Sequence, residues 1–438
     1  MNRPWNLPLY FNLLLFAMVL VLNLSIPANP PLCEDLDDPA DYLHQAELPL
    51  FDKEFYAPHR LDSFHPRPFT VPLFYKLCNG DETVIIQVQK WLHTFSAFLL
   101  IYSLLLFIKR DWIKYALTGS IYLLMCWWNI LGWSLLLLSE SISMSLLFCW
   151  LATFLIWFKH RSNVWLVVHL AVAFFFSFTR DSWPYALVAF YGMICIWFFV
   201  SKDKLMLKGL VAFAFSVLVF IVQGQTAKTG LRSQLPVLNT LAVRIAGNTE
   251  YLNWFAVHGM PCAEKLKSEF GGIDVRDTTG QQKIFAFYED SSYQPLFDWV
   301  NAKGQGTYML FLLTHPAYTF LAEETPAQLQ RIFAHDLFYT DVPRGYVQYL
   351  PAVFPLWKAE IVLVLLLVLA GIYWKRRDPI LILTLCFAAF VILNAWLCYN
   401  ADALEVERHL FITQILVELT GFWSLALIMD SLGFKART

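Results

Sequence analysis

Charge is what this chain has little of. Only 15% of its 438 residues are Asp, Glu, Lys or Arg, where a soluble domain carries about a quarter. That shortage excludes a large water-soluble fold, and the 58% hydrophobic content points the same way. A net charge of −2 leaves no electrostatic footprint for nucleic acid, so no nucleic-acid partner is expected. The eight cysteines are scattered and form no CxxC pair, which argues against a zinc or iron–sulfur site. Internal repeats and low-complexity tracts are missing too. The apolar run 8–22 follows a short basic start but has no convincing small-residue cleavage site after it, so it reads as a retained signal anchor.

Present instead are apolar runs of about 20 residues, enough to cross a bilayer. The expected fold is an all-α polytopic membrane protein of about ten transmembrane helices, near 8–27, 84–108, 113–132, 142–158, 164–179, 184–200, 206–223, 358–374, 379–398 and 410–430. With Arg3 in the cytoplasm, the clusters at Lys109-Arg110, Lys159–Arg161, Lys202–Lys204, Lys375–Arg377 and Lys435–Arg437 all fall on one side, as the positive-inside rule asks. The expected organisation is an N-terminal transmembrane region, 1–223, with a first outer loop at 28–83. A mostly helical extracytoplasmic segment, 224–357, and C-terminal transmembrane helices, 358–438, follow.

The remaining charges gather at span ends on the outer side. Asp37, Asp38 and Asp41 follow the first span, Glu140 precedes the fourth, and Arg180-Asp181 fills the turn after the fifth. Asp402, Glu405, Arg408 and His409 lie between the ninth and tenth, spaced to share roughly one helical face. Charges beside a membrane span are expensive unless they face water, protein or a ligand. Each also has a plainer role. Asp38, before Pro39, is a candidate N-cap; Glu140 suits a helix start; Arg180 and Asp181 can pair with each other; Arg67 can be a surface residue. His93 and His169 read as satisfied interior residues, and Trp127, Trp128 and Trp133 suit an interfacial aromatic belt. Cys33 and Cys78 share the first outer segment, where a disulfide is conceivable.

Carboxylates with arginines at a membrane surface suit transfer of a group from a lipid-linked phosphate. A carboxylate accepts the proton of an acceptor hydroxyl, and arginines hold the leaving phosphate. The stretches Asp38-Pro-Ala-Asp41-Tyr42 and Arg67-Pro-Phe-Thr-Val-Pro72 resemble the first extracytoplasmic loop of GT-C membrane glycosyltransferases, in particular the bacterial dolichyl-phosphate-mannose mannosyltransferase-like group. Ser139-Glu140-Ser141, Arg180-Asp181, Val243-Arg244 and Asp402…His409 are also similar to that superfamily. The resemblance implies a polyprenyl-phosphate-linked sugar donor, a lipid, glycan or protein acceptor, inverting transfer, and an active site outside a bacterial inner membrane. It implies a catalytic aspartate in the first outer loop, carried over to Asp38 with Asp37 and Asp41 open. Arg180, Arg408, His409 and Arg67 would be donor-phosphate partners, and Glu140, Asp181, Asp402 and Glu405 pocket acids. No cofactor is demanded; a divalent metal is permitted.

Three other readings are open. A polysaccharide polymerase or ligase acting on a lipid-diphosphate-linked glycan would depend more on arginines. A lipid or solute transporter would want repeats or mid-span charges. A membrane-bound acyltransferase would need a partner for His169.

Overall fold

A computed structural model of the chain describes residues 6–28, 37–58, 66–229, 232–273, 278–320, 357–373, 379–401, 403 and 406–432. All regular structure among them is helical. The main helices are α1 (Leu7–Ser25), α2 (Asp37–Glu47), α3 (Thr70–Leu77), α4 (Glu82–Leu105), α5 (Asp111–Met125), α6 (Ser139–His160), α7 (Asn163–Ser177), α8 (Trp183–Ser201) and α9 (Met206–Thr229). They continue with α10 (Thr249–Val257), α11 (Ala263–Phe270), α12 (Thr278–Glu289), α13 (Gln294–Trp299), α14 (Gln305–Thr314), α15 (Ala359–Tyr373), α16 (Pro379–Ala401) and α17 (Val406–Leu432). Among the described residues, 7 helices are long and apolar enough to cross a membrane: α1, α4, α6, α8, α9, α16 and, from Arg408, α17. Helices α7 and α15 are apolar but only 15 residues long.

The chain divides into two compact units. One comprises Met1–Gln223, Asp336–Leu393 and Ile412–Thr438, the other Gly224–His335 and Asn394–Phe411.

The first unit is built on α6. Its side chains are apolar nearly all round, and a helix without a polar stripe belongs in an interior. Accordingly Leu146 is the one residue of Ser139–Phe158 that is not buried, and α4 and α7 pack against this helix, with α1 on α4. Trp150 anchors this core against Phe154, Phe176, Phe190 and Phe390, with ring centroids 6.4, 5.8, 4.9 and 5.3 Å away. Buried polar atoms must find partners. Trp150 Nε1 donates to the Tyr191 hydroxyl at 2.8 Å, which contacts His169 Nε2 at 2.6 Å; Thr153 Oγ1 lies 3.2 Å from His169 Nδ1. The partners of His169 are therefore hydroxyls, where the sequence shows none.

The two ends of this unit differ in chemistry. At one, the Lys109 and Arg110 amides donate to the Asp430 carboxylate at 3.0–3.2 Å, and Lys159 sits 5.1 Å above the Phe107 ring. Arg161 pairs with Asp203 at 3.4 Å, and Lys208 donates to the Arg161 carbonyl. The basic clusters that end α4, α6 and α8 thus share one end. The start of α6, about 30 Å away at 1.5 Å per residue, belongs to the other.

Two expectations change here. The run 113–132 does not continue as one helix: α5 stops at Met125, and a short helix, Trp128–Leu131, and a 3-10 turn, Gly132–Leu135, follow. Trp127, Trp128 and Trp133 are 6%, 5% and 0% exposed, so they fill the interior of the unit and form no outward belt.

In the second unit, α10–α14 enclose a core that includes Leu241, Ile245, Phe255, Leu266, Tyr293, Leu296 and Phe311. Asn248 starts α10 by accepting from the Glu250 and Tyr251 amides. Gly259, at φ +87°, lies just past its end, a backbone region glycine favours. Residues 394–401 are fastened into this unit. The Arg244 guanidinium lies 4.1 Å above the Tyr399 ring and donates to its carbonyl at 2.6 Å, and the Tyr308 hydroxyl donates to the Asn400 carbonyl at 2.8 Å.

Candidate functional site

The site begins with α2. Asp38 and Asp41 are three residues apart, so both carboxylates project from neighbouring positions on one face. Asp38 falls inside the first turn rather than capping it, because the helix already begins at Asp37. Both acids meet Arg67. Its Nε and Nη2 donate to Asp41 Oδ2 at 3.1 and 2.6 Å, and Nη2 also donates to Asp38. Arg67 is held from behind by Gln45, whose side chain accepts from the Arg67 amide at 2.9 Å and donates to its carbonyl at 3.0 Å. Lys76, on α3, donates to the Ala46 and Leu48 carbonyls at 2.9 and 2.8 Å, closing the end of α2. The Asp41 side chain is 4% exposed and that of Asp38 25%. Burial pulls the Arg67 guanidinium down in pKa, but Asp38, Tyr42 and Asp41 outweigh it and hold it above its ordinary value.

Tyr42 links this group to α6. Its ring lies under Arg67, 5.3 Å from the guanidinium carbon, and its phenol lies beside the Ser139 side chain. Burial pushes the Tyr42 phenol up, Arg67 opposes that, and the Asp38 and Glu140 charges reinforce it. Glu140 is fully buried in the first turn of α6, with Oε1 3.5 Å from Arg180 Nη2 and Oε2 3.4 Å from Ser139 Oγ. The turn carrying Arg180 is tied down at three points. Thr179 Oγ1 and Trp183 Nε1 reach Ser143 Oγ at 3.0 and 2.7 Å, the Thr70 amide donates to the Phe178 carbonyl at 3.2 Å, and Phe69 packs on Phe178 at 4.7 Å. Three stretches far apart in the chain thereby meet at the end of the first unit opposite its basic clusters.

Asp38, Asp41, Arg67, Glu140 and Arg180 therefore converge. Asp181 instead accepts from the Gln223 side chain. Asp37 opens α2, and its side chain is outside the described atoms. Arg408 and His409 belong to the second unit, in the first turn of α17, with Arg408 7% exposed. Asp402 and Glu405 lie outside the described residues, as does Cys33; Cys78 is a free thiol. Among the described residues no three His, Cys, Asp or Glu side chains gather as a metal set.

Several participants escaped the sequence reading. Tyr42 and Gln45 act only through contacts that the folded loop creates. Lys90 and Glu418 were visible as charges inside apolar runs. Lys90 is fully buried and donates to the Ile26 carbonyl at 2.5 Å; Glu418 is fully buried and accepts from the Trp357 amide at 3.0 Å. Not every charge outside the basic clusters therefore gathers at a span end.

Among the described residues, seven membrane-length apolar helices, no strand and an acid–arginine cluster at the end opposite the basic clusters define a helical, multi-pass membrane protein. No protein-family model matches the chain, and no curated protein matches it.

Proposed function

We propose that the protein is an integral-membrane glycosyltransferase, moving a sugar from a polyprenyl-phosphate carrier to an acceptor hydroxyl outside the cytoplasm. The observation that carries this reading is the meeting of Asp38, Asp41 and Arg67 with Glu140 and Arg180. In this reading about ten helices cross the membrane, with the basic clusters in the cytoplasm and the acid–arginine cluster facing outward. The acceptor oxygen attacks the anomeric carbon as the bond from that carbon to the phosphate oxygen breaks, and the bonding pair leaves with the phosphate. Asp38, the more open carboxylate, takes the acceptor's proton. Asp41 and Gln45 position Arg67, which in turn orients Asp38. Arg180, steadied by Glu140, offsets charge growing on the departing lipid phosphate.

Charges inside apolar helices mark transport pathways as well as catalytic sites. Lys90 and Glu418 accordingly favour a second reading, a lipid or solute transporter. The deciding experiment incubates purified full-length protein with a panel of prenyl-phosphate sugars and acceptors and measures released prenyl phosphate. Release that drops about 10²–10⁴-fold in Asp38→Ala supports the assignment. Release unchanged by Asp38→Ala, or none with any donor while labelled lipid still crosses the bilayer, rejects it.

A further inference from the structure

Helix α14 of the second unit presents two unlike faces. Tyr308, Phe311 and Leu312 are buried in the unit's core. Facing outward, Met309, Leu310 and Leu313 are 52%, 44% and 78% exposed, and Phe320, just beyond the helix, is 71% exposed. Residues 304–320 include no Asp, Glu, Lys or Arg. Single exposed apolar residues need no explanation, but a contiguous uncharged patch on one face does. Elsewhere the unit exposes Val257 and Phe285 only singly, amid charge: α11 exposes Glu264, Lys267 and Glu269, and Lys265 pairs with Asp290 at 2.9 Å.

The occupant follows from how the chain enters the unit. Gly224, where it begins, is within α9, and Asn394–Phe411 takes in the end of α16 and the start of α17. Three membrane-length helices therefore run directly into it, and chain continuity keeps it next to the membrane. We propose that α14 and Pro316–Phe320 form an interfacial lipid-contact surface, with Met309, Leu310, Leu313 and Phe320 seated at the headgroup–acyl boundary of the leaflet this unit adjoins. An uncharged helical face backed by a folded core suits that boundary. The inference rests on the membrane character of the chain and is independent of sugar transfer.

The test places a photoreactive benzophenone amino acid at Leu313, at Phe320 and, as a control, at exposed Lys267, each in full-length protein reconstituted into phosphatidylethanolamine–phosphatidylglycerol vesicles. After irradiation, mass spectrometry should find phospholipid adducts at the first two positions and essentially none at the third. Two independent positions guard against one variant failing to fold. Adducts from Leu313 and Phe320 that map onto protein, from this chain or a second copy, would overturn the proposal, as would lipid yields no greater than at Lys267.

Discussion

At the scale of single residues, Asp38 and Asp41 share one arginine but not one environment. Asp41 is nearly fully buried and receives two of the Arg67 N–H groups, so its role is to position. Asp38 keeps a quarter of its side chain exposed and can meet a substrate. Asp41→Ala should lower stability by about 1–3 kcal/mol, because it strips a partner from a largely buried cation, and transfer should fall with it. Asp38→Ala should instead leave the thermal midpoint near wild type while abolishing transfer. Thermal unfolding in detergent beside a prenyl-phosphate release assay separates the two, and the opposite pattern would move the base to Asp41. Arg67→Lys keeps the charge but loses the planar fork that spans both acids. Its transfer rate should drop while salt leaves the defect uncorrected.

Among the elements, α6 decides most. Its start carries Ser139 and Glu140, its middle carries Trp150, and its last turn carries Lys159, so one rigid rod joins the candidate site, the core and the basic end. Trp150→Ala removes packing against six rings, those of Phe154, His169, Phe176, Phe190, Tyr191 and Phe390, and takes a hydrogen-bond partner from the Tyr191 hydroxyl. The expected loss is about 3–5 kcal/mol, seen as a lowered thermal midpoint in detergent. A shift no larger than that of a surface control would show that the core centres elsewhere. The sequence of this element makes legible an apolar helix with an acid at its start. It could not show that Glu140 would be fully buried or would reach Arg180, because both depend on which helix packs beside which. The same limit misplaced the tryptophans. Trp127, Trp128 and Trp133 have the amphipathic rings of a membrane belt, yet the break after Met125 turns them inward.

For the whole molecule, the clustering of basic helix ends predicts a sidedness. A fluorescent protein fused after Thr438 should fold and glow in the cytoplasm. Alkaline phosphatase inserted in the Arg180 turn should be active outside. The reverse result would invert the protein and put the acid–arginine cluster in the cytoplasm, where the proposed donor orientation fails.

Sequence by itself determined the class of this protein. Long uncharged runs leave backbone groups no partners except within helices once they enter lipid, so their positions and helical state follow from composition. It also marked the short list of charged residues worth watching. Tertiary structure alone decided which of them meet. It brought α2, the start of α6 and the Arg180 turn together, recruited Tyr42 and Gln45, and turned Asp181 toward Gln223. Proximity between segments far apart along a chain is set by how helices pack, and packing is written in the fit of many side chains at once rather than in any local pattern.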